Sequence, residues 1–225
     1  MSATVRVLLV GRGRMGQLVE SLAPQHGVEV VGAITRSNAG DPASWPPGDV
    51  AVDFSTGDAV PANARALASK GLSLVIGTTG WQQEADALRR DVERMQVGVI
   101  AAPNFAIGVN IFLAIAQRSA ELLAQRGFAG WIHEAHHAAK KDAPSGTALA
   151  LQRVVEASGL SVDVSSTRAG YIPGTHTVGF DSAAEMITLT HTARDRTAFA
   201  RGALEAAKWI KGRAGWFTMN DLLGL

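Results

Sequence analysis

The stretch "VRVLLVGRGRMGQLVE", residues 5–20, decides the fold. An apolar run ends in Gly11, Gly13 and Gly16 at G-x-G-x-x-G spacing, and apolar residues at helical spacing follow at once. A strand that enters a glycine turn and opens a helix is the first half of a βαβ unit, the setting in which this motif holds a dinucleotide. Gly11 permits the tight turn, Gly13 lets the backbone approach a pyrophosphate, and Gly16 allows close strand–helix contact. The phosphates then lie at the positive end of the helix. A glycine turn without a ligand is the alternative.

Outward from this stretch the same rhythm repeats. Apolar runs at 28–34, 49–55, 72–77 and 97–102 alternate with the helical patterns "PANARALASKG" and "EADALRRDVERM". Near-continuous Val/Leu/Ile runs between helices predict a parallel sheet buried on both faces, a Rossmann-like doubly wound α/β domain. Residues 37–49, "SNAGDPASWPPGD", replace one crossover helix with a loop. After Asn104 the pattern changes to an α+β order: a long helix over 108–127, the segment "WIHEAHH", a helix over 147–158, and the strands "TVGFDS" and "EMITLTHTA". The last strand alternates, with Ile187, Leu189 and His191 on one face. A final helix leads to a terminal turn in which Trp209, Trp216 and Phe217 are packing residues. The expected organisation is a dinucleotide-binding domain of residues 1–105 and 196–225, with an inserted substrate-binding and oligomerisation domain of residues 106–195.

Composition narrows the function. The 225 residues are 47% hydrophobic and 18% charged, with a formal net charge of +1. No global field is available to hold nucleic acid, so an anion must be gripped locally. Cysteine is absent, which excludes disulfides, thiolate metal sites and cysteine nucleophiles and suits a reducing cytoplasm. No run approaches membrane-spanning length.

At the end of the second strand, where an NAD-selective site offers an acid to the ribose, the chain reads Thr35-Arg36. Arg36 can pair with a 2′-phosphate, which favours NADPH, or stack on adenine, which leaves NADH open; a solvated arginine is the third reading. "GTTG" (77–80) and "APNF" (102–105) follow the fourth and fifth strands, on the sheet edge that binds ligands in open α/β folds. Gly77, Thr78, Thr79, Ala102, Pro103, Asn104 and Phe105 are candidates there, although such turns need no ligand.

The second cluster of chemistry is "HEAHHAAKKDAPSG", residues 133–146. Adjacent side chains of an extended segment face opposite ways, so His136 and His137 do not share a metal centre without a bend, and no H-E-x-x-H or carboxylate cluster supports one. Pro144 and Ser145 read as a helix start, leaving the amides of Gly146 and Thr147 free for an anion. One carboxylate on that helix end and another met by histidine and lysine suit a small polycarboxylate. His136 or Lys140 could then pass a proton while a nicotinamide passes a hydride. A polar surface loop with a capped helix is the plainer reading.

These residues carry a family resemblance. "EAHHAAKKDAPSGTAL" resembles the E-x-H-H-x-x-K-x-D-A-P-S-G-T-A signature of the dihydrodipicolinate (4-hydroxy-tetrahydrodipicolinate) reductases of the diaminopimelate–lysine pathway, and "GRGRMG", "GTTGW", "APNFAIGVN" and "THTARDRTAFARGAL" are similar to the family's other blocks, in order. The resemblance implies that His136 is proton donor and acceptor and Lys140 a proton donor. His137, Ser145, Gly146 and Thr147 would hold substrate carboxylates. Gly11, Arg12, Gly13, Arg14, Met15, Gly16, Arg36 and the two later loops would line NAD(P)H, with no metal. It implies a cyclic dicarboxylate substrate and a homotetramer built through the second domain's sheet. The chain departs from the family in a shorter loop after the second strand, a shorter stretch beyond Thr147 and a nucleotide loop one residue short of G-x-x-G-x-x-G. Two rivals remain on the residues alone: an aspartate- or homoserine-dehydrogenase-like enzyme, and a dinucleotide sensor without turnover. A sensor has no need of the proton donors.

Overall fold

The structure, a computed structural model, describes residues 4–225. The chain divides into two compact units, one running to Ile107 and completed by Thr197–Leu225, the other Gly108–Arg196.

The first unit is built on strands β1 (Val5–Val10), β2 (Val28–Ile34), β3 (Val50–Asp53), β4 (Ser73–Ile76) and β5 (Gly98–Ala101). Helices α1 (Arg14–Leu22), α2 (Val60–Ser69) and α3 (Ala85–Arg94) connect them. The near-continuous apolar runs have a physical cause: alternate residues of each strand enter opposite cores. Val7, Leu9, Val52, Val75 and Ile100 pack with Val19 of α1 and with Ala203, Leu204 and Ile210. Leu8, Val10, Ala51, Leu74, Ile76 and Val99 pack with Leu67 of α2 and with Leu88 and Val92 of α3. The loop expected at 37–49 is present, with only a short 3-10 turn at Pro42–Ser44. Trp45 fills the place of the missing helix, 5% exposed, its indole donating to the carbonyl of Asn38 at 2.9 Å.

The second unit holds α4 (Ile107–Leu123), whose body lies within it, β6 (Ala129–His136), α5 (Gly146–Glu156), β7 (Val162–Arg168), β8 (Gly174–Asp181) and β9 (Met186–Ala193). Its sheet runs β7-β6-β8-β9, with β6 and β7 parallel and the other pairs antiparallel. The helices cover one face, burying Ile132, Val162, Val178 and Phe180 against Phe112, Ala116, Leu151 and Val155. The other face carries threonine pairs, Thr175 with Thr192 and Thr177 with Thr190, each at 3.0 Å.

The chain returns to the first unit as α6 (Thr197–Ile210). The expected terminal turn is corrected here: Gly215–Phe217 form β10, a sixth parallel strand on the edge of β5, followed by the short helix α7 (Met219–Leu223). Three residues give too short a run to read as a strand, and pairing partners decide it. Trp209 and Phe217 do pack, edge to face at 5.1 Å, and Trp216 meets Trp81. Strand β7, "VDVSSTR", is polar and carries no strand signal in the sequence, and β8 begins earlier than the apolar pattern shows.

Candidate active site

The three glycines of the first turn serve different ends. Gly11 has φ +86°, and a Cβ there would stand 2.6 Å from the carbonyl oxygen of Phe54. A Cβ on Gly16 would stand 2.1 Å from the carbonyl oxygen of Gly11. Both positions are fixed by chain packing. A Cβ on Gly13 would meet nothing within 4 Å, so bare backbone faces open space there. Gly13 is also the N-cap of α1, which has no side-chain cap and no acid in its first turn. The helix's first amides are therefore free for an anion, and the cradle fits a pyrophosphate.

Two cavities open from this turn. One of about 600 Å³ is lined by Gly11, Arg12, Gly13, Thr35 and Arg36 together with Phe54, Ser55 and Thr56. The other, about 340 Å³, is lined by Gly13, Arg14 and Met15, by Gly77, Thr78 and Thr79, and again by Ser55 and Thr56. Arg12 is held in a two-point ion pair by Glu20, at 2.9 and 3.1 Å, whereas Arg36 keeps an exposed guanidinium. Asp53, 4% exposed, fastens the lining: its Oδ1 accepts from the Ser55 amide (2.8 Å), the Ser55 hydroxyl (2.6 Å) and the Thr78 hydroxyl (2.8 Å). Burial pushes its carboxyl above the usual range, against the pull of those hydrogen bonds. Ala102, Pro103, Asn104 and Phe105 line neither cavity. Phe105 is 1% exposed in the core, and the Asn104 side chain accepts from the Ala106 amide at 2.9 Å.

In the second unit, strand alternation does the assembly. Gly130, Ile132, Glu134 and His136 share the helix-facing side of β6. Register sets Glu134 opposite Ser166 on β7 and His176 on β8, and His136 opposite Arg168. The apolar end of this row is covered by α4 and α5, and its polar end meets the start of α5. Ser145 caps that helix, its Oγ accepting from the Ala148 amide at 3.2 Å, and the same Oγ lies 2.9 Å from His176 Nε2. Its hydroxyl is 2% exposed and thus occupied internally, while Gly146 is exposed and Thr147 half-buried at the helix opening. His137 lies beyond the strand and is exposed. Lys140 Nζ is bound by both oxygens of Asp142, at 2.8 and 2.9 Å.

Glu134 is completely buried and takes bonds from the Ser145 amide (3.1 Å), Ser166 Oγ (2.7 Å) and Arg168 (2.6 Å), all on Oε1. Its Oε2 lies 3.0 Å from His136 Nε2. Burial works to raise its carboxyl, but the bonds from Ser145, Arg168 and Ser166 win and hold it at about 2. Burial pushes His136 below the ordinary imidazole range, opposed by Glu134 and reinforced by the Lys140 and Arg168 cations. His176, buried beside His136, is driven to about 4. Glu134, His136 and His176 bring ligand atoms within 4.8 Å of one another, but the Arg168 guanidinium already supplies the charge a metal ion would bring.

Sequence reading assigned no role to Glu134, Ser166, Arg168 or His176, nor to Phe54–Thr56. The last were within reach, since the loop after β3 lies on the same sheet edge as the loops singled out after β4 and β5. The others depend on strand register, which single-chain periodicity does not carry.

A glycine cradle on a doubly wound sheet, with an imidazole, an ammonium and a helix opening grouped on a second sheet, defines an oxidoreductase of the two-unit, dinucleotide-binding class. Family profiles then specify it. The one described as "Dihydrodipicolinate reductase, N-terminus" matches residues 5–105, and "Dihydrodipicolinate reductase, C-terminus" matches residues 108–223. The 4-hydroxy-tetrahydrodipicolinate reductase of Acidiphilium cryptum is 40% identical over 248 positions, covering 99% of each chain. That of Archaeoglobus fulgidus is 36% identical over 259 positions, covering 97% of this chain and all of the other. Both alignments exceed 225 positions, so these relatives carry segments this chain lacks. Among solved structures, a dipicolinate-bound dihydrodipicolinate reductase from Paenisporosarcina sp. TG-14 shares the fold at TM-score 0.81 and 22% identity, covering 96% and 97% of the two chains. A probable dehydrogenase from Thermotoga maritima follows at 0.61 and 10% identity, covering 97% and 92%. The chain belongs to the dihydrodipicolinate reductase family. Among the described residues no helix is long and apolar enough to cross a membrane.

Proposed function

We propose that this protein reduces 4-hydroxy-tetrahydrodipicolinate to tetrahydrodipicolinate, with the first unit binding NADPH and the second binding the cyclic dicarboxylate. The ring gains a hydride and a proton and loses water. The bound cofactor supplies the hydride. Gly13 and the first amides of α1 would hold its pyrophosphate, and Gly77–Thr79 would line the cavity beside it. The exposed Arg36, with no acid at Thr35, supports a 2′-phosphate and hence NADPH over NADH.

The observation that carries the reading is the grouping of His136, Lys140 and the opening of α5 on one polar end of the second unit in a chain of this family. The Gly146 and Thr147 amides receive one carboxylate, and His137 lies on the adjoining loop to meet the other. In the free protein the His136 imidazolium is disfavoured by burial. Two arriving carboxylates reverse that balance, so substrate binding loads the imidazole with a proton. Lys140, once its ammonium exchanges Asp142 for a substrate carboxylate, is the second donor. The open threonine face of the second sheet, with Met186 56% exposed at its end, is the surface through which we assign a homotetramer.

The test is NADPH consumption by purified protein with freshly generated 4-hydroxy-tetrahydrodipicolinate, beside aspartate semialdehyde as the rival substrate. His136→Ala and Lys140→Ala should each lower kcat by roughly a hundredfold or more while NADPH binding persists. Normal turnover in both variants would refute the assignment.

A further inference from the structure

Glu134 is joined to four elements at once. It bonds the Ser145 amide at the start of α5, Ser166 and Arg168 on β7, and stands 3.0 Å from His136 on its own strand, with His176 of β8 at 3.6 Å. Between His136 and Ser145 the chain crosses residues 137–144, tied by the Ala138 amide to the Gly170 carbonyl, the Lys140 amide to the His137 carbonyl, the Lys140–Asp142 pair and a bond from Arg168 to the Asp142 carbonyl. Glu134 therefore pins both ends of that crossing. Ser145 is held by its amide on Glu134 while its hydroxyl caps α5, so the carboxylate fixes where the helix begins.

We infer that Glu134 is the positioning residue of this half-site, its buried carboxylate holding the His136 ring and the opening amides of α5 as one rigid pair. The inference rests on the reductase reading and deepens it: the spacing between proton donor and carboxylate-binding amides is set by a residue that touches neither substrate nor cofactor. Three other titratable groups face His136: Arg168 from β7, the neutral His176 from β8 with ring centroids 5.1 Å apart, and Lys140 from the crossing, itself paired with Asp142. Among the described residues Glu134 is the anion in contact with the ring, so it alone favours the imidazolium from close range. Its removal lowers the proton affinity of His136 and loosens the helix opening together.

The measurement is Glu134→Gln, which keeps the shape and removes the charge. In the full chain, kcat/KM for the dicarboxylate should fall by roughly a hundredfold, KM should rise, and the alkaline limb of the pH profile should move to lower pH, with NADPH affinity unchanged. Histidine-ring NMR should show His136 titrating at lower pH, and calorimetry should show weaker binding of dipicolinate; neither needs turnover. If the single variant does not fold, Glu134→Gln with Arg168→Met removes both charges; because Arg168 itself disfavours the imidazolium, the comparison is with Arg168→Met alone, against which the double variant's His136 should titrate at lower pH. A folded variant whose His136 titration, pH limb and dipicolinate affinity match the parent overturns the inference. A parent protein that fails to reduce the dicarboxylate overturns the substrate reading instead, and the NMR result still judges Glu134.

Discussion

Asp53 and Glu134 are both buried carboxylates near the ends of strands, and the two units treat them in opposite ways. Asp53 is met by neutral donors alone, one amide and two hydroxyls, and burial raises its proton affinity. Glu134 is met by a guanidinium as well, and its carboxyl is held at about 2. The first unit shapes its lining through backbone: glycines, bare amides and hydroxyl ties. The second shapes its lining through charge. A cradle for a phosphate gains from being rigid and uncharged, whereas a proton donor needs a fixed countercharge.

The largest test of this contrast is Glu134→Ala, which leaves the Arg168 guanidinium without its partner at 17% exposure. It should cost about 3 kcal/mol, the low end for a broken buried pair, measured by urea unfolding of the full chain. A loss under about 1 kcal/mol would erase the distinction. Next is the backbone side. Gly16→Ala forces a methyl onto the Gly11 carbonyl and should cost about 1–3 kcal/mol and most NADPH binding. Gly13→Ala, with open space around it, should change stability by less than about 0.5 kcal/mol yet still weaken NADPH binding, because the methyl occupies the pyrophosphate's approach.

Acid separates the units further. A carboxyl lowered from 4.5 to about 2 contributes stability above pH 4.5 that is lost as pH falls towards 2. A carboxyl raised by burial, as Asp53 is, does the reverse: its native form prefers the proton, so the first unit is relieved as pH falls through its titration. Amide exchange between pH 5 and pH 3 should lose protection first in residues 108–196. Equal loss in both units would break the contrast. Asp53→Asn retains an acceptor for the same three donors and should stay within about 1 kcal/mol of the parent, with no loss of protection specific to the first unit.

Much of this was legible in advance. Strands that place alternate residues in two cores must be apolar throughout, so β1 to β5 announced themselves, as did the glycine turn. β10 and β7 did not, one for its brevity and the other because Ser165, Ser166 and Thr167 carry no apolar signal. In the second unit the residues of the quoted motif were visible as chemistry, but the bonds that organise them come from register. Arg168 and His176 reach Glu134 only because β7 and β8 flank β6. Phe105, a cofactor candidate on the sequence, has its ring in the core of the first unit, so its side chain packs there.

The loop that replaces a crossover helix between β2 and β3 supplies Thr35, Arg36 and Ser37 to the larger cavity. Two anchors hold it. Asn38 bonds the Thr35 amide (2.7 Å) and the Ala33 carbonyl (3.1 Å), and Trp45 plugs the core. Residues 35–37 therefore sit on a tether whose fastening lies elsewhere, and they are open to replacement without loss of a strand or a helix. On the proposed reading, preference between the two nicotinamide coenzymes is in this sense a removable fitting, one that descendants of the chain can exchange while the rest of the fold stays as it is.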